Sequence, residues 1–264
     1  MNPTPTTTAL RSVRPGLVFL GLVVAAAAGG VLLWQSDFGR STTAIIGMWL
    51  LILGGWMISL CLHEFAHAFT AFRYGDRSTE MRGYLTLDPR KYTHPALSIG
   101  LPMLIIVLGG IGFPGGAVYL NTSGMTRGQR TRVSLAGPAT NLVLGVVLLV
   151  IVGLIPLTTQ NGNLLAGLTM LAFLQITATV LNLIPMPGFD GYGAIEPYLS
   201  HQTRASAAKV APYGFLLVFA LLFIPVLNRA FFDLIYSIIE VFGVPAGLVT
   251  EGWRLFLFWN GLGL

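Results

Sequence analysis

Between Thr43 and Leu62 the chain runs for twenty residues without a charged side chain. A helix needs about 20 apolar residues to cross the hydrocarbon core of a bilayer, so this stretch is of membrane length. Directly after it come His63-Glu64-Phe65-Ala66-His67. Ionisable groups at such a depth are costly and mark function by default. On a helix, positions i and i+4 share a face, so His63 and His67 can offer two imidazole nitrogens to one zinc ion, with Glu64 beside them to take a proton from a water.

The rest of the chain agrees with a membrane setting. Of its 264 residues, 54% are hydrophobic and 9% charged, which excludes an ordinary soluble domain and a disordered chain alike. The net charge of +5 is spread between the apolar runs instead of clustered on one face, so no nucleic-acid partner is expected. The single cysteine, Cys61, cannot form an internal disulfide and reads as a small packing residue.

Taken in order, residues 1–15 are rich in Thr and Pro, carry Arg11 and Arg14, and read as a cytoplasmic tail. Gly16 to Trp34 forms the first span; its Arg-flanked start and the Ala25 to Ala28 run also have the look of a secretory signal peptide. The second helix is expected from Thr43 to Phe72, long enough to emerge from the membrane. Met81 to Leu87 has partial strand character and predicts a short ribbon at the membrane surface. Ala96 to Ile111 is apolar but short, broken by Pro102, followed by a glycine-rich stretch to Gly116, and basic on both flanks. Those features favour a re-entrant hairpin lining a cavity over a full span. Ser134 to Ile155, Leu164 to Ile184 and Phe215 to Leu227 are further spans, whereas the topology of 229–264 stays open. The expected fold is an all-α polytopic membrane protein of about six transmembrane helices, with a re-entrant hairpin and short β region after the second.

Orientation follows from the basic residues. Arg73, Arg77, Arg82, Arg90 and Lys91 follow the histidines, and alternation of the spans puts Arg127, Arg130, Arg132, Arg204 and Lys209 on the same side. Arg40 and Arg229 fall on the other. Cytoplasmic loops carry the excess of Lys and Arg, so the histidines lie near the inner face.

A catalytic zinc site has three protein ligands and an open fourth position. Candidates for the third are Asp190, His94, Asp88, Glu196 and His201. Asp190 is preferred, because it sits on the proline-broken, glycine-rich segment Pro185-Met186-Pro187-Gly188-Phe189-Asp190-Gly191 at the inner end of a span. Asn141 and Asn182 can serve as hydrogen-bond donors to an oxyanion or a substrate backbone, or equally as interhelical contacts.

Three motifs in this order resemble the site-2 protease family of intramembrane zinc metalloproteases: His63 to His67, Leu135-Ala136-Gly137-Pro138-Ala139-Thr140-Asn141-Leu142, and Asn182-Leu183-Ile184-Pro185-Met186-Pro187-Gly188-Phe189-Asp190-Gly191. The resemblance spans residues 63–191. It implies His63, His67 and Asp190 as ligands of a Zn(2+) ion, one per chain, and Glu64 as catalytic base. It also implies a site that faces the cytoplasm and cuts transmembrane protein or signal-peptide substrates in the lipid bilayer, with the loop through Asn121 holding substrate extended. Phe189 stands where the family commonly has Leu, and Thr93-His94-Pro95 departs from the family's usual acidic pattern. No PDZ or CBS module is recognisable, so the short form of the family is expected: a tail over 1–15 and one integral membrane metalloprotease domain over 16–264, with its core at 43–191. A multi-pass protein of a prokaryotic plasma membrane is the expected setting. A metal-binding transporter and a catalytically silent membrane scaffold are the alternatives.

Overall fold

The computed structural model describes residues 13–91, 118–214 and 223–261. Among them, four helices are long and apolar enough to cross a membrane: α1 (Leu17–Gln35), α2 (Thr42–Arg73), α3 (Arg127–Leu154) and α4 (Gly162–Asn182). They fall where the hydropathy places them. At 1.5 Å per residue α2 measures about 48 Å and is therefore longer than a hydrocarbon core about 30 Å thick. Shorter helices follow: α5 (Asp190–Ile195), α6 (His201–Val210), α7 (Pro225–Glu240) and α8 (Gly247–Phe256).

In a bilayer the lipid tails are as apolar as leucine, so helices associate through close packing and hydrogen bonds instead of escape from water. The α1–α2 pair does so through small residues. A Cβ on Gly29 would strike the Leu51 amide nitrogen and come within 2.7 Å of the Gly47 carbonyl, and one on Gly54 would lie 3.1 Å from Ala26. Helix α4 is the centre of the bundle, with Leu165, Ala166, Met170, Phe173, Leu174 and Ile176 almost fully enclosed. Its hydroxyls are satisfied internally: Thr169, Thr177 and Thr179 each donate to the carbonyl four residues earlier, at 2.7 to 2.9 Å. At its N-terminal end the buried Asn163 carboxamide donates to Ser36 Oγ and to the Asp37 and Gly39 carbonyls, and accepts from the Gly39 amide at 3.0 Å. One side chain thus ties the α1–α2 loop to α4.

The C-terminal part, open at the sequence level, packs on this centre. Phe231, Ile235 and Ile239 bury one stripe of α7, and α8 buries Leu248, Val249, Leu255 and Phe256. Trp49 of α2 stacks on Phe256 with ring centroids 4.9 Å apart and donates its indole N–H to the Phe256 carbonyl. At about 24 Å and 15 Å, α7 and α8 are each shorter than a bilayer core.

One expectation is corrected. Met81 to Leu87 is not a ribbon: Met81 ends a single helical turn (Ser78–Met81), and Tyr84–Thr86 is a 3-10 turn. Gly83 at φ 74° and Leu87 at φ 55° are left-handed, which breaks the alternation a strand requires, and Thr86 bonds back to the Gly83 carbonyl through both its amide and its hydroxyl. There is no strand among the described residues. The expected re-entrant hairpin at Ala96 to Ile111 lies outside them, as does most of the expected span from Phe215; the count of about six spans thus compares with four among the described residues.

Candidate metal centre

The motif helix is continuous through His63 and His67, so the i, i+4 spacing holds and both imidazoles face α3 and α5. Their Nε2 atoms are 3.1 Å apart. The Asp190 carboxylate closes the triangle, with Oδ2 3.2 Å from His63 Nε2 and Oδ1 3.3 Å from His67 Nε2. A tetrahedral zinc site with arms of 2.0–2.1 Å has ligand-to-ligand edges of about 3.3 Å; the two imidazole nitrogens stand near that spacing from each other, and each stands near it from one of the two carboxylate oxygens.

The chemistry of the donor set fits a cation. His67 Nδ1 lies 2.7 Å from the Val133 carbonyl oxygen, which only accepts; the ring proton therefore resides on Nδ1, and Nε2 presents its lone pair inward. Burial raises the Asp190 carboxyl pKa, but the two imidazoles beside it outweigh burial and lower the value to about 2, so this group is a carboxylate at neutral pH. Lone pairs converging on one point need a positive ion between them. His63 Nδ1 is buried and has no partner among the described residues.

Space for the ion comes from Gly137. A Cβ there would clash with His67 Nε2 and lie 2.5 Å from His63 Nε2, so a side chain would occupy the point on which the two nitrogens converge. Helix α3 reaches that close because residue 137 is glycine, and it continues through Pro138, a residue tolerated inside membrane helices.

Asp190 is positioned by the proline-glycine segment and by α3. Helix α4 ends at Asn182, Gly188 turns the chain at φ 103°, and Asp190 opens α5. Gly191 packs on the Leu183 and Ile184 carbonyls, where a Cβ would collide. Thr131 of α3 donates its hydroxyl to the Ala194 carbonyl at 2.7 Å and holds α5 against the site.

Glu64 is buried beside this group, and Val118 supplies a backbone hydrogen bond to its carboxylate. The segment leading to Asn121 is anchored by the buried Asp76, whose Oδ2 accepts from the Asn121 amide at 2.7 Å while Oδ1 accepts from the Ser78 amide and hydroxyl.

Among the described residues, the group able to hold a metal is His63, His67 and Asp190, as sequence reasoning preferred. Asp88 is engaged instead by Arg90, with Oδ2 to Nη2 at 2.6 Å, Glu196 is half-buried in the turn after α5, His201 is exposed at the start of α6, and His94 lies outside the described residues. Asn141 is buried one turn beyond Gly137 with its Oδ1 unpartnered among the described residues; Asn182 is half-buried at the end of α4. Val133 and Val118 were not singled out from sequence, and Gly137 was named only as part of the Leu135 to Leu142 motif, with no role given to it.

Fold and site together define a helical membrane protein with a metallohydrolase-type centre of two histidines and a carboxylate at the end of a spanning helix. Comparison with known proteins agrees. The profile of peptidase family M50 matches residues 51–160. Rip2 of Mycolicibacterium smegmatis, named as a zinc metalloprotease, is 52% identical over 252 residues, covering 95% of this chain and 96% of its own. Rip2 of Mycobacterium tuberculosis strain H37Rv is 48% identical over 94% of this chain and 96% of its own. YwhC of Bacillus subtilis, also named as a zinc metalloprotease, is 31% identical over 64% of this chain and 77% of its own. No solved structure matches. The chain belongs to peptidase family M50.

Proposed function

We propose that this protein is an intramembrane zinc metalloprotease that hydrolyses peptide bonds in or near the transmembrane segments of other membrane proteins or of signal peptides. The observation that carries the reading is the triangle of His63, His67 and Asp190 at coordination spacing with Glu64 buried beside it. In this reading the three residues are the zinc ligands. A zinc ion held there supplies Lewis-acid activation of a carbonyl and of a water. Glu64 accepts the proton of the attacking water and delivers it to the leaving amine nitrogen, so that one peptide bond becomes a carboxylate and an amine. Asn141 is the better of the two amides for stabilising an oxyanion or a substrate backbone, since it is buried one turn from Gly137; Asn182 stands at the inner end of α4. The backbone at Val118 to Asn121, bonded to Glu64 and anchored by Asp76, supports a place where substrate lies extended.

The basic residues after α2 and in the first turns of α3 support a centre facing the cytoplasm, and four spanning helices together with prokaryotic relatives support a multi-pass protein of a prokaryotic plasma membrane. The reading includes the re-entrant hairpin at Ala96 to Ile111, the span from Phe215 to Leu227, a cytoplasmic tail over 1–15 and one domain over 16–264. Nothing favours the transporter or scaffold alternatives: relatives of about half identity carry protease names, and Glu64, which hydrolysis needs and ion passage does not, is present.

The test compares the membrane proteomes of cells carrying wild-type and Glu64→Gln protein, followed by cleavage of the accumulating single-span proteins in nanodiscs. Cleavage is expected to fall by roughly 10²–10⁴-fold in the variant, the range of general acid–base contributions, with zinc retained. Equal cleavage by both forms refutes the assignment.

A further inference from the structure

Helix α7 buries Phe231, Ile235 and Ile239 and turns its opposite face away from the bundle. That face carries Val226, Arg229, Ala230, Asp233 and Ser237 at i, i+3, i+4, i+7 and i+11 spacing, and all five are exposed. Neither Arg229 nor Asp233 pairs with another charged side chain among the described residues.

The depth of this face follows from what α7 packs on. The Phe232 ring stacks on Phe173 with centroids 6.1 Å apart, and Phe173 stands midway along the 21-residue α4. Further along, a Cβ on Gly153, next to the last residue of α3, would come within 2.6 Å of the Phe242 carbonyl oxygen. The short connection 155–161 joins α3 to α4, so Gly153 and Gly162 lie towards the same membrane face. Phe232 is ten residues from Phe242, a rise of about 15 Å, and Gly162 is eleven from Phe173, about 16 Å. The two rises match, as they do when α7 stands nearly parallel to α4. Asp233 therefore lies near the middle of the bilayer core. Arg229, expected from sequence on the far side of the membrane from the histidines, stands one turn from it. These are opposite charges at a depth where each alone is costly.

We propose that this face is a self-association surface: α7 packs against α7 of a second copy about a two-fold axis along the membrane normal, with Arg229 of each copy paired to Asp233 of the other. Acyl chains cannot neutralise Asp233, and its short stem cannot carry the carboxylate to the headgroups. Nor does the face suit an aqueous channel, since Val226 and Leu234 are exposed beside the charges. It is instead complementary to itself, as an isologous contact requires. One cation and one anion stand one turn apart, so a two-fold axis sets each against its opposite twice. Side chains of a helix lean towards its N-terminus, which tilts Asp233 to the level of Arg229, and the long, forked guanidinium reaches across the gap. Ala230 and Ser237 are small, which lets two membrane helices approach closely. This surface does not depend on what the metal centre does.

The experiment follows full-length, fluorophore-labelled protein in phospholipid vesicles at falling protein-to-lipid ratio, with pairing read by energy transfer between labelled copies. The wild type is expected to form dimers. Arg229→Asp and Asp233→Arg, each alone, set like charges against one another and should weaken pairing about tenfold or more. An equimolar mixture of the two variants should pair at wild-type strength, because one copy then carries two anions and the other two cations; an ion pair within one helix would gain nothing from mixing. A second readout needs neither charge variant and stands even if those fail to fold. Ser237→Cys, near the two-fold axis, should form an intermolecular disulfide on oxidation, whereas the wild type, whose one cysteine is buried, should not. Monomeric wild type at every ratio, a mixture that pairs no better than the single variants, no disulfide in Ser237→Cys, or its crosslinking in native membranes to a different protein overturns the proposal.

Discussion

Gly137 stands where the two histidine nitrogens converge, and its lack of a side chain is what leaves room for an ion. Gly137→Ala is expected to lower metal affinity by at least the roughly 10–100-fold typical of disturbed outer-shell contacts, while the helical content by circular dichroism stays at the wild-type level. Zinc titration monitored by competition with a chromophoric chelator reads this directly; undiminished affinity would mean that α3 does not sit against the site. At this scale, the three candidate ligands were legible in the sequence and the contacts that pack on them were not. His63 and His67 were legible because helical spacing alone puts them on one face, and Asp190 because a carboxylate on proline-broken backbone at a span's end has few other uses. Gly137 and the Val133 carbonyl act on residues about 70 positions away in the chain, across the α2–α3 packing, and no local pattern encodes that contact.

Among the elements, the four spans were legible because length and absence of charge suffice to specify a membrane helix. The surface segment after α2 was not. Its alternating residues read as a strand, but the left-handed Gly83 and Leu87 and the hydrogen bonds of Thr86 close it into a turn, while Asp76 joins its start to Asn121. That carboxylate is buried and accepts bonds from both sides of the intervening chain. Asp76→Ala is expected to destabilise the protein by about 2–3 kcal/mol, since bonds to charged groups are the stronger class. Thermal unfolding and proteolysis after Arg77 would detect it; an unchanged midpoint and an unchanged digestion pattern would show that the staple is dispensable.

For the molecule as a whole, a metal at this centre links α2 to α5 and thereby joins two elements more than 100 residues apart in sequence. An ion that binds only the folded state stabilises it by about 2.7–4.1 kcal/mol at 100–1,000 times its dissociation constant. Chelation should accordingly lower the unfolding midpoint in detergent by about 5–15 °C, and the shift should vanish in Asp190→Asn. A chelator-independent midpoint in the wild type would disconnect the metal from the fold. The C-terminal helices belong to this scale too. Phe256 and Trp253 lie against Trp49 and Phe173, partners that only the assembled bundle brings within reach.

The central claim is that one chain supplies three ligands to one zinc ion. Elemental analysis of detergent-purified wild-type protein beside His67→Ala and Asp190→Asn tests it most directly. About one zinc per wild-type chain, lost in both variants, is the expected result for a site of three protein ligands. Folded wild-type protein without zinc, or full zinc in Asp190→Asn, would contradict it.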